Sequence, residues 1–204
     1  MEIINEEKVN RILSNVGKEV LNEDGTSSTQ KLKLNLGSGH HAYPDYINVD
    51  LYKEVSEPDV VADITDLSWL PDESVDEIVT YHVIEHLGHR KVADFFRECF
   101  RKLKKGGEFI FETPDLGEAI EQFAKIRHNS GEIKGDFGDG SIYETIYGGQ
   151  KDSGSIHLGC FTKWQLMCML KWAGWEEPFI IPEIPRRGVE YGIKWNIRMR
   201  CVKQ

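Results

Sequence analysis

His82, Glu85 and His86 stand in the stretch YHVIEHLGHR in the pattern H-x-x-E-H. On one face of a regular helix, that spacing gives zinc two imidazole ligands and a carboxylate base, the chemistry of a metallopeptidase. A catalytic zinc ion also needs a third protein ligand and an open position for water. Glu118 or Glu121 could be nominated, but nothing in their spacing singles either out. The surrounding elements must therefore decide what these three residues do.

A second group of candidates precedes them. Gly37-Ser38-Gly39-His40-His41-Ala42 fits G-x-G-x-x-A, the dinucleotide fingerprint. That fingerprint requires a following helix and an acidic residue ~20 positions later. Here Tyr43-Pro44-Asp45 intervenes, a strand resumes almost at once, and Asp50 comes early. A pyrophosphate site is poorly supported. Glycines at this place still let backbone approach a ligand, since no Cβ intervenes. Asp50, closing a strand in NVDL, could accept both hydrogen bonds of a ribose diol. Asp63, closing the next strand in VADI, could accept from an adenine amino group while Ile64 packs on the ring. Taken alone, each aspartate better suits a turn or helix cap. Their succession at three strand ends is the stronger signal.

These placements require strands. KLKLNL (31–36), YINVDL (46–51), VVADI (60–64), SVDEIVTY (74–81) and EFIFET (108–113) read as strands in turn. A helix over RKVADFFRECFRKLKK shows an apolar stripe of Val92, Phe95, Phe96, Cys99, Phe100 and Leu103. Its basic last turn suits the helix dipole, with Gly106 and Gly107 as its stop. Residues 6–21 predict an amphipathic helix and 22–29 a polar linker. Thr162 and Gln165 form a capping-box pattern that opens a late helix closed by Gly174. In GIKWNIRMRCVK, apolar and charged residues alternate, as in a strand with one partly solvated face near a sheet edge. Strands alternating with helices give an α/β fold: a Rossmann-like, doubly wound, mostly parallel sheet with an antiparallel C-terminal strand and helices on both faces. Ligands in such sheets bind beyond the carboxyl ends of the strands.

The chain has 204 residues, 40% hydrophobic and 29% charged, as expected of one globular domain. A net charge of −9 argues against a broad nucleic-acid surface, although a local basic patch could exist, for instance around Arg186 and Arg187. No apolar run approaches the ~20 residues of a membrane span. The acidic start MEIINEEKVN does not read as a signal peptide. Cys99, Cys160, Cys168 and Cys201 form no C-x-x-C pair and read as reduced thiols, so a cytoplasmic protein is expected.

LNLGSG, INVDL, VADITDLSWLPDESVDEIVTYHVIEHL and RECFRKLKKGGEFIFETPD together resemble a class I S-adenosylmethionine-dependent methyltransferase. The resemblance runs from Lys31 to about Asp115 and resumes at HLGCFTKWQLMCMLKWAGW; it is nearest to small enzymes, some of which modify sugars or polysaccharides. It implies S-adenosyl-L-methionine as cofactor, with Gly37, Ser38 and Gly39 against its methionine portion and Asp50 on the ribose hydroxyls. Leu51, Asp63 and Ile64 would border the adenine, and Tyr81 and His82 would flank the cofactor. The glycine turn departs from the family in leading to no long helix. Residues 1–30 are then an N-terminal helix and linker, 31–204 the methyltransferase domain, and 116–157 a lid or acceptor wall without strong periodicity. His157 is the candidate general base for a hydroxyl acceptor, because its intrinsic pKa lies near working pH. A structural histidine is the equal alternative. Tyr143 and Tyr147 could contact the acceptor, expected to be a small molecule or carbohydrate. On this reading His82 ends a strand, H-x-x-E-H is coincidental and no metal is expected. A non-catalytic cofactor-binding protein of the same fold and a zinc hydrolase are the rivals.

Overall fold

A computed structural model describes residues 1–21, 26–53, 57–128, 142–151, 153–181 and 195–204. Among these residues eight strands form one sheet in the order β1-β6-β5-β4-β7-β8-β10-β9. Its parallel centre comprises β4 (Lys33–Leu36), β5 (Ile47–Asp50), β6 (Val60–Val61), β7 (Val75–Tyr81) and β8 (Leu103–Pro114). β10 (Asn196–Val202) runs antiparallel to β8, as its alternating pattern predicted. Two-residue strands finish the edges: β1 (Glu2–Ile3) beside β6 and β9 (Phe179–Ile180) beside β10.

Register fixes which side chains share a face. Leu34 lies opposite Ile47 and Ile78, and Ile78 opposite Phe109. This apolar face receives α2 (His89–Lys102), which buries Val92, Phe95, Phe96 and Cys99. The Phe96 ring stands 5.8 Å from Phe109 and 5.2 Å from Phe111. Trp175 stacks on Phe109 at 5.7 Å, and its Nε1–H donates to the Phe96 carbonyl at 3.2 Å. Each such aromatic contributes about 1.5–3 kcal/mol by leaving water. α5 (Lys163–Trp172) adds Leu166 and Leu170 to this core, and its predicted capping box is present. Asn35, Asn48, Val79 and Ile110 look the opposite way. α1 (Glu6–Asn15) lies on that side, burying Val9 and Ile12 and sending Lys8 to Asp59 beside Asn48. Helices thus cover both faces.

Several predicted boundaries shift, each because tertiary pairing overrides local preference. The helix expected over 6–21 ends at Asn15, and β2 (Glu19–Leu21) pairs with β3 (Ser27–Thr29), so part of the expected linker is a hairpin. Residues 22–25 of that linker lie outside the described residues. α2 stops at Lys102 rather than running to the glycine pair. Lys104 instead binds the Asp76 carboxylate at 2.8 Å, and Gly106 N–H donates to Lys203 at 2.7 Å, which draws 103–107 into β8. Among the described residues of the stretch 116–157 are α3 (Leu116–His128) and α4 (Ile142–Tyr147), helices that its weak periodicity did not predict. α3 exposes about half of Ile120 and Phe123, so it lacks the buried stripe that would announce it. Residues 129–141 of this stretch, and the Arg186–Arg187 pair, lie outside the described residues. Among the described residues, no helix is long and apolar enough to cross a membrane.

Candidate functional site

The site is built at the carboxyl ends of β4, β5, β6 and β7. After β4 the chain turns through Gly37 and Gly39 at φ +69° and +48°. The Gly37 and Ser38 amides donate to the Val49 carbonyl at 2.8 and 3.1 Å, which fastens the bend to β5. The two glycines serve different ends. A Cβ on Gly37 would stand 2.4 Å from Val83, so its bare Cα makes room for protein rather than ligand. A Cβ on Gly39 would meet nothing within 4 Å, and this is where backbone is open to an approaching molecule. Between them, Ser38 Oγ is buried without a hydrogen-bond partner. Such an orphaned hydroxyl costs about 1–3 kcal/mol unless something polar reaches it.

Asp50 closes onto this bend. Its Oδ2 accepts from Gly39 N–H at 2.8 Å, and its Oδ1 accepts from Tyr52 N–H at 3.0 Å. Carboxylate oxygens each hold two lone pairs, so acceptor capacity remains. Leu51 and Tyr52 beside it are exposed apolar surface. Asp63 is exposed, and its Oδ1 accepts from both the amide and hydroxyl of Thr65 at 2.9 and 2.7 Å, the turn role open to it from sequence. Ile64 packs into the hydrophobic core.

The connection 40–46 contains no helix, as its sequence implied. A polar network holds it instead. Asn35 Nδ2 donates to the His41 carbonyl at 2.8 Å, and Tyr43 N–H to Asn48 Oδ1 at 2.8 Å. Asn48 Nδ2 and Lys8 Nζ converge on Asp59 Oδ2 at 2.8 and 2.7 Å. The N-terminal helix thereby helps to brace the loop under the glycine bend.

Beyond β7, Tyr81 is half-buried and His82 adopts a left-handed φ of +55°, a rare conformation for a non-glycine residue. Ile84–His86 forms one 3₁₀ turn, so H-x-x-E-H does not lie on a regular helix. His82 Nε2 lies 2.9 Å from Glu112 Oε1, and its Nδ1 lies 3.2 Å from Glu85 Oε1. Burial opposes a charge on this imidazole, but the two carboxylates prevail and raise its pKa above the ordinary histidine value. Glu112 is fully buried and also receives Arg198 and Asn196. The peptidase arrangement, with His82 and His86 sharing one ion, is therefore absent.

His86 turns elsewhere and meets His157, their rings 4.9 Å apart and edge to face. Glu85, His86 and His157 place one potential ligand atom each within 4.8 Å of one another. His86 Nδ1 lies 2.9 Å from the Ile156 carbonyl, and His157 Nδ1 lies 3.0 Å from that of Thr145. A carbonyl can only accept, so each Nδ1 carries a hydrogen and Nε2 is the ring nitrogen left to meet another partner. Burial lowers the pKa of His157 below the usual histidine value, which favours its neutral form. The segment is pinned: Leu158 and Gly159 amides donate to the Glu85 carbonyl at 2.8 and 2.9 Å. Gly148, at φ +75°, leaves room that a Cβ would take from Ser155 O and the His157 ring. Tyr143 and Tyr147 lie on α4 with about half their surface exposed. Sequence reasoning nominated His157 and separately noticed Glu85 and His86, but nothing in the spacing joined them. It missed Glu112 altogether, and the one available signal was a carboxylate on a strand whose neighbours are apolar.

Residues 32–111 match the family profile described as a methyltransferase domain. A curated protein of Mycolicibacterium smegmatis named "Probable S-adenosylmethionine-dependent methyltransferase" is 52% identical over 46 residues. That stretch is 22% of this chain and 17% of the relative's length. Among solved structures, a SAM-dependent methyltransferase from Archaeoglobus fulgidus aligns with a TM-score of 0.57 at 14% identity, covering 97% of this chain and 92% of its own. Another from Thermotoga maritima gives 0.54 at 20% identity, covering 87% and 84%. A third, from Methanosarcina mazei, gives 0.56 at 15% identity, covering 85% and 92%. At such identities the shared property is the fold.

Proposed function

We propose, on the premise that the chain belongs by domain and fold to the class I S-adenosylmethionine-dependent methyltransferases, that it moves a methyl group from this cofactor to an oxygen of a small-molecule or sugar acceptor. The observation that carries the reading is the bend at Ser38–Gly39, open at Gly39, orphaned at Ser38 Oγ and closed by Asp50. These features fit an amphiphilic nucleoside. The methionine portion would lie against the bend of Gly37, Ser38 and Gly39, with Gly37 shaping the bend and Gly39 the open position; Asp50 would accept from the ribose hydroxyls, and Leu51 and Asp63 would border the base with Ile64 packed beneath them. Tyr81 and His82 would flank the cofactor after β7, His82 through its place at the strand end, since both ring nitrogens face carboxylates. Bound there, the cofactor supplies a methyl group already activated on a sulfonium.

The chain's own task is then to hold an acceptor in line and to make its oxygen nucleophilic. Positioning accounts for up to ~7–11 kcal/mol of such a barrier. A placed base adds ~10²–10⁴-fold, and His157 acts there on the acceptor hydroxyl through Nε2. The oxygen target rests on this lone pair, and the sugar on resemblance. The net charge of −9 disfavours a nucleic-acid acceptor.

Thermal melts with S-adenosylmethionine, S-adenosylhomocysteine, NAD and zinc test the cofactor. Ligand at a hundred times its Kd adds about 2.7 kcal/mol, or a Tm rise of roughly 5–11 °C. Stabilisation by NAD but by neither sulfur nucleoside refutes the reading. A labelled methyl donor with a panel of hydroxylated acceptors separates an enzyme from a non-catalytic binder.

A further inference from the structure

We infer that Glu85, His86 and His157 form a binding site for one divalent transition-metal ion of the zinc type. Three observations carry it. The three potential ligand atoms lie within 4.8 Å of one another, close enough to share an ion. Both histidines have Nδ1 held by backbone carbonyls, those of Ile156 and Thr145, so each ring has its Nε2 left as the atom that could meet an ion. Metal-ligating histidines are oriented in this way, by a carbonyl on the other ring nitrogen. Third, the Glu85 carboxylate is 1% exposed. Its Oε2 accepts from Thr113 Oγ1 at 2.9 Å, while Oε1 stands in ion-pair range of His82. A carboxylate buried this deeply is costly unless cationic partners stand beside it, and a metal ion adds to His82 in that role.

Two imidazoles and a carboxylate suit zinc and its first-row neighbours better than magnesium or calcium, which favour all-oxygen shells. Three protein ligands leave a position open, the mark of a catalytic rather than a structural site. The ion answers the sequence's opening pattern in a different way. Glu85 and His86 are ligands, His82 supports Glu85 from behind, and the third ligand is His157 rather than Glu118 or Glu121. For the acceptor, this inference rests on the methyltransferase reading. An acceptor hydroxyl in the open position loses its proton to bulk water more readily, as metal-bound water does. His157 then acts through the ion instead of taking the proton itself.

Equilibrium dialysis against Zn²⁺ and Co²⁺, with metal quantified per chain, tests the site. The chain takes up one equivalent, and bound Co²⁺ shows the visible absorption of a low-coordinate complex. His86→Ala and His157→Ala weaken uptake by at least the ~10–100-fold that loss of a mere supporting partner brings. His89→Ala, at an exposed histidine outside the cluster, leaves uptake unchanged. Binding of S-adenosylhomocysteine by the same variants establishes that they are folded. Uptake well below one equivalent, or equal uptake by all three variants, overturns the site and returns His157 to direct proton transfer. Stoichiometric metal in a chain that binds no sulfur nucleoside upholds the site and overturns the cofactor reading instead.

Discussion

The two halves of the candidate site, one proposed for the cofactor and the other for the acceptor, are assembled by different means. The cofactor half is local: a bend, a strand end and the next strand end follow one another between Gly37 and Ile64. Short hydrogen bonds such as Gly39 N–H to the Asp50 carboxylate tie them together. The acceptor half is remote. It joins the turn after β7 to residues delivered by the long excursion that follows β8. Two hydrogen bonds from the Leu158 and Gly159 amides onto the Glu85 carbonyl, and carbonyl grips on two imidazoles, hold the parts together. The first half can form wherever the sheet forms. The second also requires the excursion to dock, so damage there should remove turnover and spare cofactor binding.

The sharpest way to separate the halves is His157→Ala. We expect kcat to fall ~10²–10⁴-fold while S-adenosylhomocysteine affinity, read by calorimetry, stays within about twofold. Equal loss of both would make the halves one unit. Asp50→Ala attacks the other half: cofactor affinity should weaken ~10–100-fold, the scale of hydrogen bonds to a charged group. Gly148→Ala probes docking. A residue other than glycine at φ +75°, with its Cβ 2.0 Å from Ser155 O, should cost about 1–2 kcal/mol, lower Tm by about 2–8 °C and depress turnover without changing cofactor affinity. The smallest effect is expected from Ser38→Ala, a ~2–10-fold weakening of cofactor binding with Tm unchanged or slightly raised in the absence of ligand.

The same contrast governs what could be read from the sequence. Strand tips are legible because hydrophobic runs stop where a glycine or aspartate begins, and parallel sheets place such ends together. The reason for Gly37 was not legible, since Val83 comes from another strand's exit. α3 went unseen because its exposed Ile120 and Phe123 blur the periodicity. Its one local signal is Asp115, whose Oδ1 accepts from the Gly117 and Glu118 amides. The meeting of His86 with His157 has no local trace at all, because loop docking sets it. Likewise, Glu112 reads as an ordinary polar strand position until β10 brings Arg198 and β7 brings His82.

The central claim is that a sulfur nucleoside lies across the tips of β4 and β5. A crystal structure of the chain with S-adenosylhomocysteine tests it most directly. The account predicts ribose hydroxyls within hydrogen-bond distance of the Asp50 carboxylate, with the amino-acid end over Ser38 and Gly39. Ligand density elsewhere on the molecule, or an Asp50 side chain turned from the ribose, would contradict it.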